Sequence, residues 1–293
     1  MAELDFPGGL PRAITPPDEP LNDVLHAAGY TAAVEWGKAR FYRGMVELAG
    51  GLAHMGFLRS QALLNLFSDA NARTGAAYTL GELFGVMKVG KSAARSAAVE
   101  HLYGLSDKRI LMRGYVVPCP VCKLDNWISV SKINERVACS GCLAAFQMPL
   151  QVHFSYKLNQ VYLEGLVQGA LTVLLTAMHL YDGGAPFTWQ ACTVAEKGGG
   201  RTEIDLLCKR GDALVVVECK DNFNAGSDAA AFEEQVRRAK QVSREIGAEF
   251  AFATLQPAAS IPAAVQSVID AVGASVLDRD VLLHGGVKTL PYE

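Results

Sequence analysis

Residues 201–222, RTEIDLLCKRGDALVVVECKDN, leave the chain little conformational choice. Two apolar runs carrying charges at intervals flank Lys209-Arg210-Gly211-Asp212, whose glycine suits a tight reversal, so the stretch reads as a β-hairpin. Side chains two apart on a strand share a face. Val216, Glu218 and Lys220 therefore point one way, and Val215, Val217 and Cys219 the other. On the preceding strand Glu203, Asp205 and Leu207 are expected on one face, opposite Ile204 and Leu206. Asp205 and Glu218, thirteen residues apart, then converge beside Lys220. A charge within a run as apolar as ALVVVECK is costly unless it is paired or bound to metal. Two carboxylates and an ammonium at one point can hold a hard divalent cation beside a phosphodiester. A partly buried Glu–Lys ion pair at a strand end, with Asp205 solvated, is the plainer alternative.

Half of the 293 residues are apolar, enough for two domains or for one with a substantial appendage. The formal charge of −3 gives no global attraction to a polyanion, so a nucleic-acid partner must be met by local basic patches. Arg237, Arg238, Lys240 and Arg244 on one expected helix, with Lys209 and Arg210 at the hairpin turn, offer such a patch; a solvated helix face has the same composition. Seven cysteines, four of them in C-x-x-C pairs, point to a reducing compartment and hence to the cytoplasm. The N-terminal residues lack the basic start and apolar run of a secretory signal. Residues 165–181 are the one stretch that invites a membrane reading, but they contain Gln168 and His179 and read better as a buried core helix. No membrane partner is expected.

Cys119-Pro120-Val121-Cys122 and Cys139-Ser140-Gly141-Cys142, with sixteen residues between them, present four thiolates in the spacing of two knuckles on one tetrahedral Zn²⁺. All four positions are then filled and no water can bind, so residues 115–150 are expected to form a structural zinc ribbon. Its Lys123, Trp127, Lys132 and Arg136 suit either nucleic-acid contact or a metal-stapled spacer. Upstream, residues 1–20 are rich in Pro and Gly and read as a loose arm, and residues 21–114 repeat apolar residues at helical steps. Within them TLGELFGVMKVGKSAARSAAVEHLYG and KRILMRGYVV give the order helix, turn, Ser92-capped helix, strand. That order fits a winged helix-turn-helix, with Lys91, Ser92 and Arg95 toward a groove, and fits a plain helical packing module as well.

Residues 151–293 change pattern. A long apolar helix over 159–181 precedes strands FTWQACTVA, TEIDLLCK and ALVVVECK, helix AAFEEQVRRAKQVSREIG, strand AEFAFATLQ, helix IPAAVQSVIDAVG and a last strand SVLDRDVLL. An α/β fold, a mixed β-sheet flanked by helices, is the natural closure. With that order, Asp205, Glu218 and Lys220 make residues 155–285 resemble the PD-(D/E)XK phosphodiesterase superfamily, especially its restriction-endonuclease-like and Mrr-like members. Asp205 matches the first metal-binding Asp of the motif, Glu218 its second carboxylate and Lys220 its Lys. Glu164 matches a Glu that many members carry on the first core helix, and Gln235 a Gln on the helix after the Lys strand. Ala239 stands where those relatives usually have Tyr, and Ile204 where the motif has Pro.

The resemblance implies a restriction-endonuclease-like core, Mg²⁺ or Mn²⁺ held by Asp205 and Glu218, and hydrolysis of DNA to 5′-phosphate ends. It also implies a setting in restriction or anti-phage defence, with nucleic acid as partner and a second copy of the chain or a defence-system protein as further candidates. A non-catalytic nucleic-acid-binding scaffold keeping the fold is the alternative, and RNA or a branched junction suits the same residues. Lys197-Gly198-Gly199-Gly200-Arg201 lacks the order of a nucleotide-binding loop and reads as a turn. None of the six histidines has a metal-like or triad-like neighbour pattern.

Overall fold

The computed structural model describes residues 19–33, 37–89, 93–149, 152–181, 186–195, 200–223 and 229–284. Its elements begin with α1 (Glu19–Ala27), β1 (Thr31–Ala33), α2 (Ala39–Ala49), α3 (Gln61–Ser68), α4 (Ala70–Arg73), β2 (Tyr78–Thr79), α5 (Leu80–Met87) and α6 (Ala93–Asp107). There follow β3 (Leu111–Pro118), β4 (Asp125–Ser129), β5 (Arg136–Ala138), β6 (Ala145–Gln147), β7 (Phe154–Leu158), α7 (Gln160–Val167) and α8 (Ala170–Leu180). The remainder are β8 (Phe187–Ala195), β9 (Arg201–Arg210), β10 (Ala213–Lys220), α9 (Ala229–Glu245), β11 (Glu249–Thr254), α10 (Ala263–Ala271), β12 (Ser275–Leu277) and α11 (Arg279–His284). They gather into two units: Met1–Ala39 with Leu180–Asp278, and Arg40–His179 with Arg279–Glu293. This division cuts across the sequential one expected.

The first unit holds the mixed sheet of an α/β fold, six strands in the order β1-β8-β9-β10-β11-β12. Neighbours are antiparallel from β1 to β10 and parallel from β10 to β12. Connection length decides which. Only Gly211 and Asp212 separate the paired Arg210 and Ala213, and Gly211 takes the left-handed φ of 58° that so tight a turn requires. The return from β10 to β11 is instead made by α9, long enough to bring the chain back parallel. Phe232, Val236, Ala239 and Val242 recur at helical steps on the buried side of α9, in one core cluster with Val216, Phe250 and Phe252.

Leu21 and Leu25 of α1 are fully buried in that same cluster, and β1 pairs with β8 at the sheet edge. These first elements, expected in a helical region, therefore belong to the sheet. The chain leaves α1 through Gly29, at φ 89°, whose N–H donates to His26 O while that of Tyr30 donates to Leu25 O, both at 2.9 Å.

In the second unit β2, β7, β3 and β4 form an antiparallel sheet in that order. TLGE opens α5 with a capping box: Thr79 Oγ1 accepts the Glu82 N–H, and Glu82 Oε2 accepts the Thr79 N–H at 2.8 Å. The succession α3, β2, α5, α6, β3, β7, with sheet order β2-β7-β3, is the connectivity of a winged helix-turn-helix. Where the wing lies, between β3 and β7, the chain makes the four-cysteine ribbon with the β5–β6 hairpin. Gly114 allows the close approach of β4, since a Cβ there would stand 2.5 Å from Ile128 O and 2.6 Å from the Trp127 ring. Lys157 Nζ lies 4.2 Å from the centre of that ring, so Trp127 serves packing within the sheet. Lys91 and Ser92, the arm to residue 18, and residues 197–199 of the glycine run lie outside the described residues, as does the side chain of Arg95.

Two further expectations are corrected. Residues 159–181 do not form one helix, because α7 and α8 meet at a bend of 92°. Gly169, at φ 78°, breaks them, after Gln168 N–H has closed the last turn on Glu164 O and Gly165 O. The second half is the core helix expected, buried from Ala170 to Met178. No single helix among the described residues is long and apolar enough to cross a membrane. SVLDRDVLL divides into β12 and α11, since Asp278 and Asp280 favour a helix start over a continuing strand.

Candidate active site

The β9–β10 ladder runs to the pair Val217 and Leu206, and the next residues in register are Glu218 and Asp205. There it opens. Asp205 Oδ2 accepts the Cys219 N–H at 3.0 Å, so a carboxylate replaces the carbonyl that a continuing ladder would offer. On the other side of β9, register with β8 slips between Gln190 and Cys192, leaving Asp205 and Leu206 together opposite Ala191. This β-bulge resets the alternation. Ile204 and Leu207, expected on opposite faces, lie in one core cluster. The bulge, a feature that re-aims side chains, thus falls at the first candidate ligand.

Glu218 is fully buried and neither of its carboxylate oxygens has a hydrogen-bond partner. Lys220 Nζ stands 3.3 Å from Glu218 Oε1, near enough for charge pairing but misaligned for a hydrogen bond. Its aligned bond goes to Gln235 Oε1 on α9, at 3.1 Å. Burial first, and then the charge of Asp205, push the Glu218 carboxyl well above the ordinary carboxylate range, and Lys220 offsets this only in part. Glu218 accordingly retains a proton in conditions where an exposed glutamate has lost it.

Sequence reasoning missed Lys38. Its Nζ donates to Asp205 Oδ1 at 3.3 Å and also forms an ion pair with Glu203. A contact between residues 167 positions apart leaves no periodic trace in a sequence. Asp205, Glu218, Lys220 and Gln235 are brought together as expected. Glu164 lies on α7 in the other unit, where its Oε1 accepts from Gln160 Nε2 at 2.7 Å. The basic face of α9 is largely engaged locally: Arg237 pairs with Glu233 and Glu234, and Arg238 with Glu234. Such exposed pairs contribute little to stability, and they favour the reading of a solvated helix face over a patch reserved for phosphate.

The residues at the fork suit a hard divalent cation. Glu218 offers two oxygens with no aligned hydrogen bond, Asp205 faces it in register, and the nitrogen groups around them are the Cys219 amide and two ammoniums, none of which can act as a ligand while it carries its proton.

The four cysteines form a separate centre. Their sulfurs lie within 4.8 Å of one another, with Cys119 and Cys142, and Cys122 and Cys139, at 3.6 Å. Tetrahedral zinc with bonds of about 2.3 Å places its sulfurs about 3.8 Å apart, so the cluster can hold such an ion. The two knuckles repeat one conformation. Lys123 N–H donates to Cys119 O at 3.0 Å and Leu143 N–H to Cys139 O at 3.1 Å, with Lys123 and Leu143 both left-handed. Amides at Val121 and Gly141 point at the sulfurs of Cys119 and Cys139, at 3.4 and 3.3 Å. Hydrogen bonds from the Cys142 backbone, then from Gly141 and Asn126, outweigh burial and bring the Cys139 thiol down to about 6.

No protein-family model matches the chain, and no curated protein matches its sequence. Among solved structures it is similar to protein VC1899 from Vibrio cholerae, with 12% identity and a TM-score of 0.45 over 91% of this chain and 59% of that one. It is also similar to Can2 from Sulfobacillus thermosulfidooxidans, solved in complex with cyclic tetra-adenylate, with 13% identity and a TM-score of 0.40 over 90% of this chain and 59% of that one. The chain therefore spans 59% of the length of each.

Proposed function

We propose that the chain is a metal-dependent nuclease that hydrolyses phosphodiester bonds in DNA. One observation carries the reading: Glu218, a buried carboxyl with no aligned hydrogen bond to either oxygen, stands in register with Asp205 and at ion-pair distance from Lys220. A fold gains nothing from such a group, whereas a cation site needs it. Asp205 and Glu218 would hold Mg²⁺ or Mn²⁺, and a cation there supplies polarisation of a phosphoryl oxygen and neutralises charge on the departing one. Lys220 brings a positive charge to the same point, where its Nζ orients the attacking water and stabilises the charge that builds on phosphorus-bound oxygens. Gln235 fixes that Nζ through its hydrogen bond and is a positioning residue.

DNA as substrate, 5′-phosphate products, a role for Glu164 and a setting in restriction or anti-phage defence follow from the resemblance to the PD-(D/E)XK superfamily. The cysteine centre, in the same reading, holds a structural Zn²⁺ and takes no part in the chemistry.

Purified protein should be assayed against plasmid, linear duplex, single-stranded DNA and RNA with and without Mg²⁺ or Mn²⁺. DNA cleavage is expected only with the metal, and Asp205→Ala and Lys220→Ala should reduce it about a hundredfold or more while keeping the wild-type circular dichroism spectrum. Undiminished cleavage by those variants would move the chemistry elsewhere. Cleavage of RNA alone would replace the substrate class.

A further inference from the structure

We infer that Lys38 is the internal counter-ion of Asp205: it occupies the cation side of the site in the metal-free protein and gives way when a divalent ion enters. The inference rests on the reading of Asp205 and Glu218 as a metal site.

The geometry is that of a clamp. Asp205 has one oxygen on the Cys219 amide and the other 3.3 Å from Lys38 Nζ. Glu218 is approached from the opposite end by Lys220, also at 3.3 Å. Two carboxyl groups brought together in a sheet are thus approached by two ammoniums, Lys38 at Asp205 and Lys220 at Glu218. Lys220 is tied to Gln235, and so stays with the site. Among the described residues Lys38 is tied to two acidic groups, Asp205 and Glu203, and its side chain keeps 22% of its surface exposed at the turn before α2.

A divalent ion and an ammonium cannot both share one carboxylate oxygen without strong repulsion at this range. The flexible four-carbon stem of a lysine allows the ammonium to swing aside. Lys38 therefore stabilises the metal-free state in particular, and its charge opposes metal entry. Once displaced from Asp205 it still has Glu203 as a partner.

Isothermal titration of Mn²⁺ into the full-length protein tests this in three proteins. Lys38→Met should bind Mn²⁺ about tenfold more tightly than the wild type, and Lys38→Arg, which keeps the charge, should stay near it. Thermal melts confirm that each is folded, and Lys38→Gln serves if methionine is not tolerated. Wild-type binding with no tightening in the uncharged variants would overturn the counter-ion role and leave the metal site standing. Absence of Mn²⁺ binding in the wild type and uncharged variants alike would overturn both.

Discussion

Replacing Glu218 by glutamine removes a carboxyl whose ionisation the sheet opposes. The folded value lies well above the ordinary 4.5, raised by burial and by Asp205. Between those two values the folded state holds a proton that the unfolded chain has lost, so the group's contribution to stability falls as pH rises through that window. In EDTA, Glu218→Gln should therefore melt above the wild type by a margin that opens above pH 4.5 and widens toward alkaline pH, while abolishing Mn²⁺ binding. A margin that shrinks with rising pH would mean that Glu218 is ionised and satisfied in the fold. At this scale the sequence was legible where chemistry and alternation coincide, in Asp205, Glu218 and Lys220. Gln235 was reached only through the family resemblance, which the geometry now places at 3.1 Å from Lys220. Lys38 was illegible because its role depends on a contact that closes only when the N-terminal segment folds against β9.

Among elements, the ribbon is the one whose stability depends on something besides its own core. Its cluster of Val117, Cys119, Val137, Cys139 and Phe146 is small, and two of those five residues are thiols of the metal centre. The purified protein should carry one zinc per four-thiolate site, and Cys139→Ser should lose it. The loss should expose the segment between β3 and β7 to protease while amides of β9, β10 and β11 stay protected from exchange. Simultaneous loss of protection in both places would show that the ribbon supports the whole chain. Strands and helices with strong periodicity, β8 to β11 and α9 and α10, were readable because their burial follows period two or period 3.6. The break at Gly169, the strand β1 and the start of α11 were not, because each is set by a local left-handed residue, a distant partner strand or an aspartate pair that overrides a continuous apolar run. The bulge at Asp205 belongs with these, since one extra residue on β9 is defined only by its pairing with β8.

At the scale of the whole molecule, neither unit is a continuous stretch of chain. The sheet's unit takes α1 and β1 from the beginning of the chain and everything else from after α8. Leu21 and Leu25 are fully buried in its core, each contributing about 1.5–3 kcal/mol by burial alone. Against a net stability of about 5–15 kcal/mol for a domain, losing both, together with the pairing of β1 on β8, removes a large share. A fragment of residues 180–278 should therefore fail to give a cooperative melt, and joining residues 19–39 to it should restore one; a cooperative melt of the shorter fragment would show that α1 and β1 are dispensable. The ribbon stands in the opposite relation to its surroundings. Tyr115 and Phe154 are paired across β3 and β7, so the end of β3, the strand β4 and the four-cysteine hairpin are together inserted at one rung of the β3–β7 ladder. Because closure entropy grows only slowly with loop length, such an excursion is a cassette: its contents can be lengthened, exchanged or reduced to a turn without asking the host strands to change register.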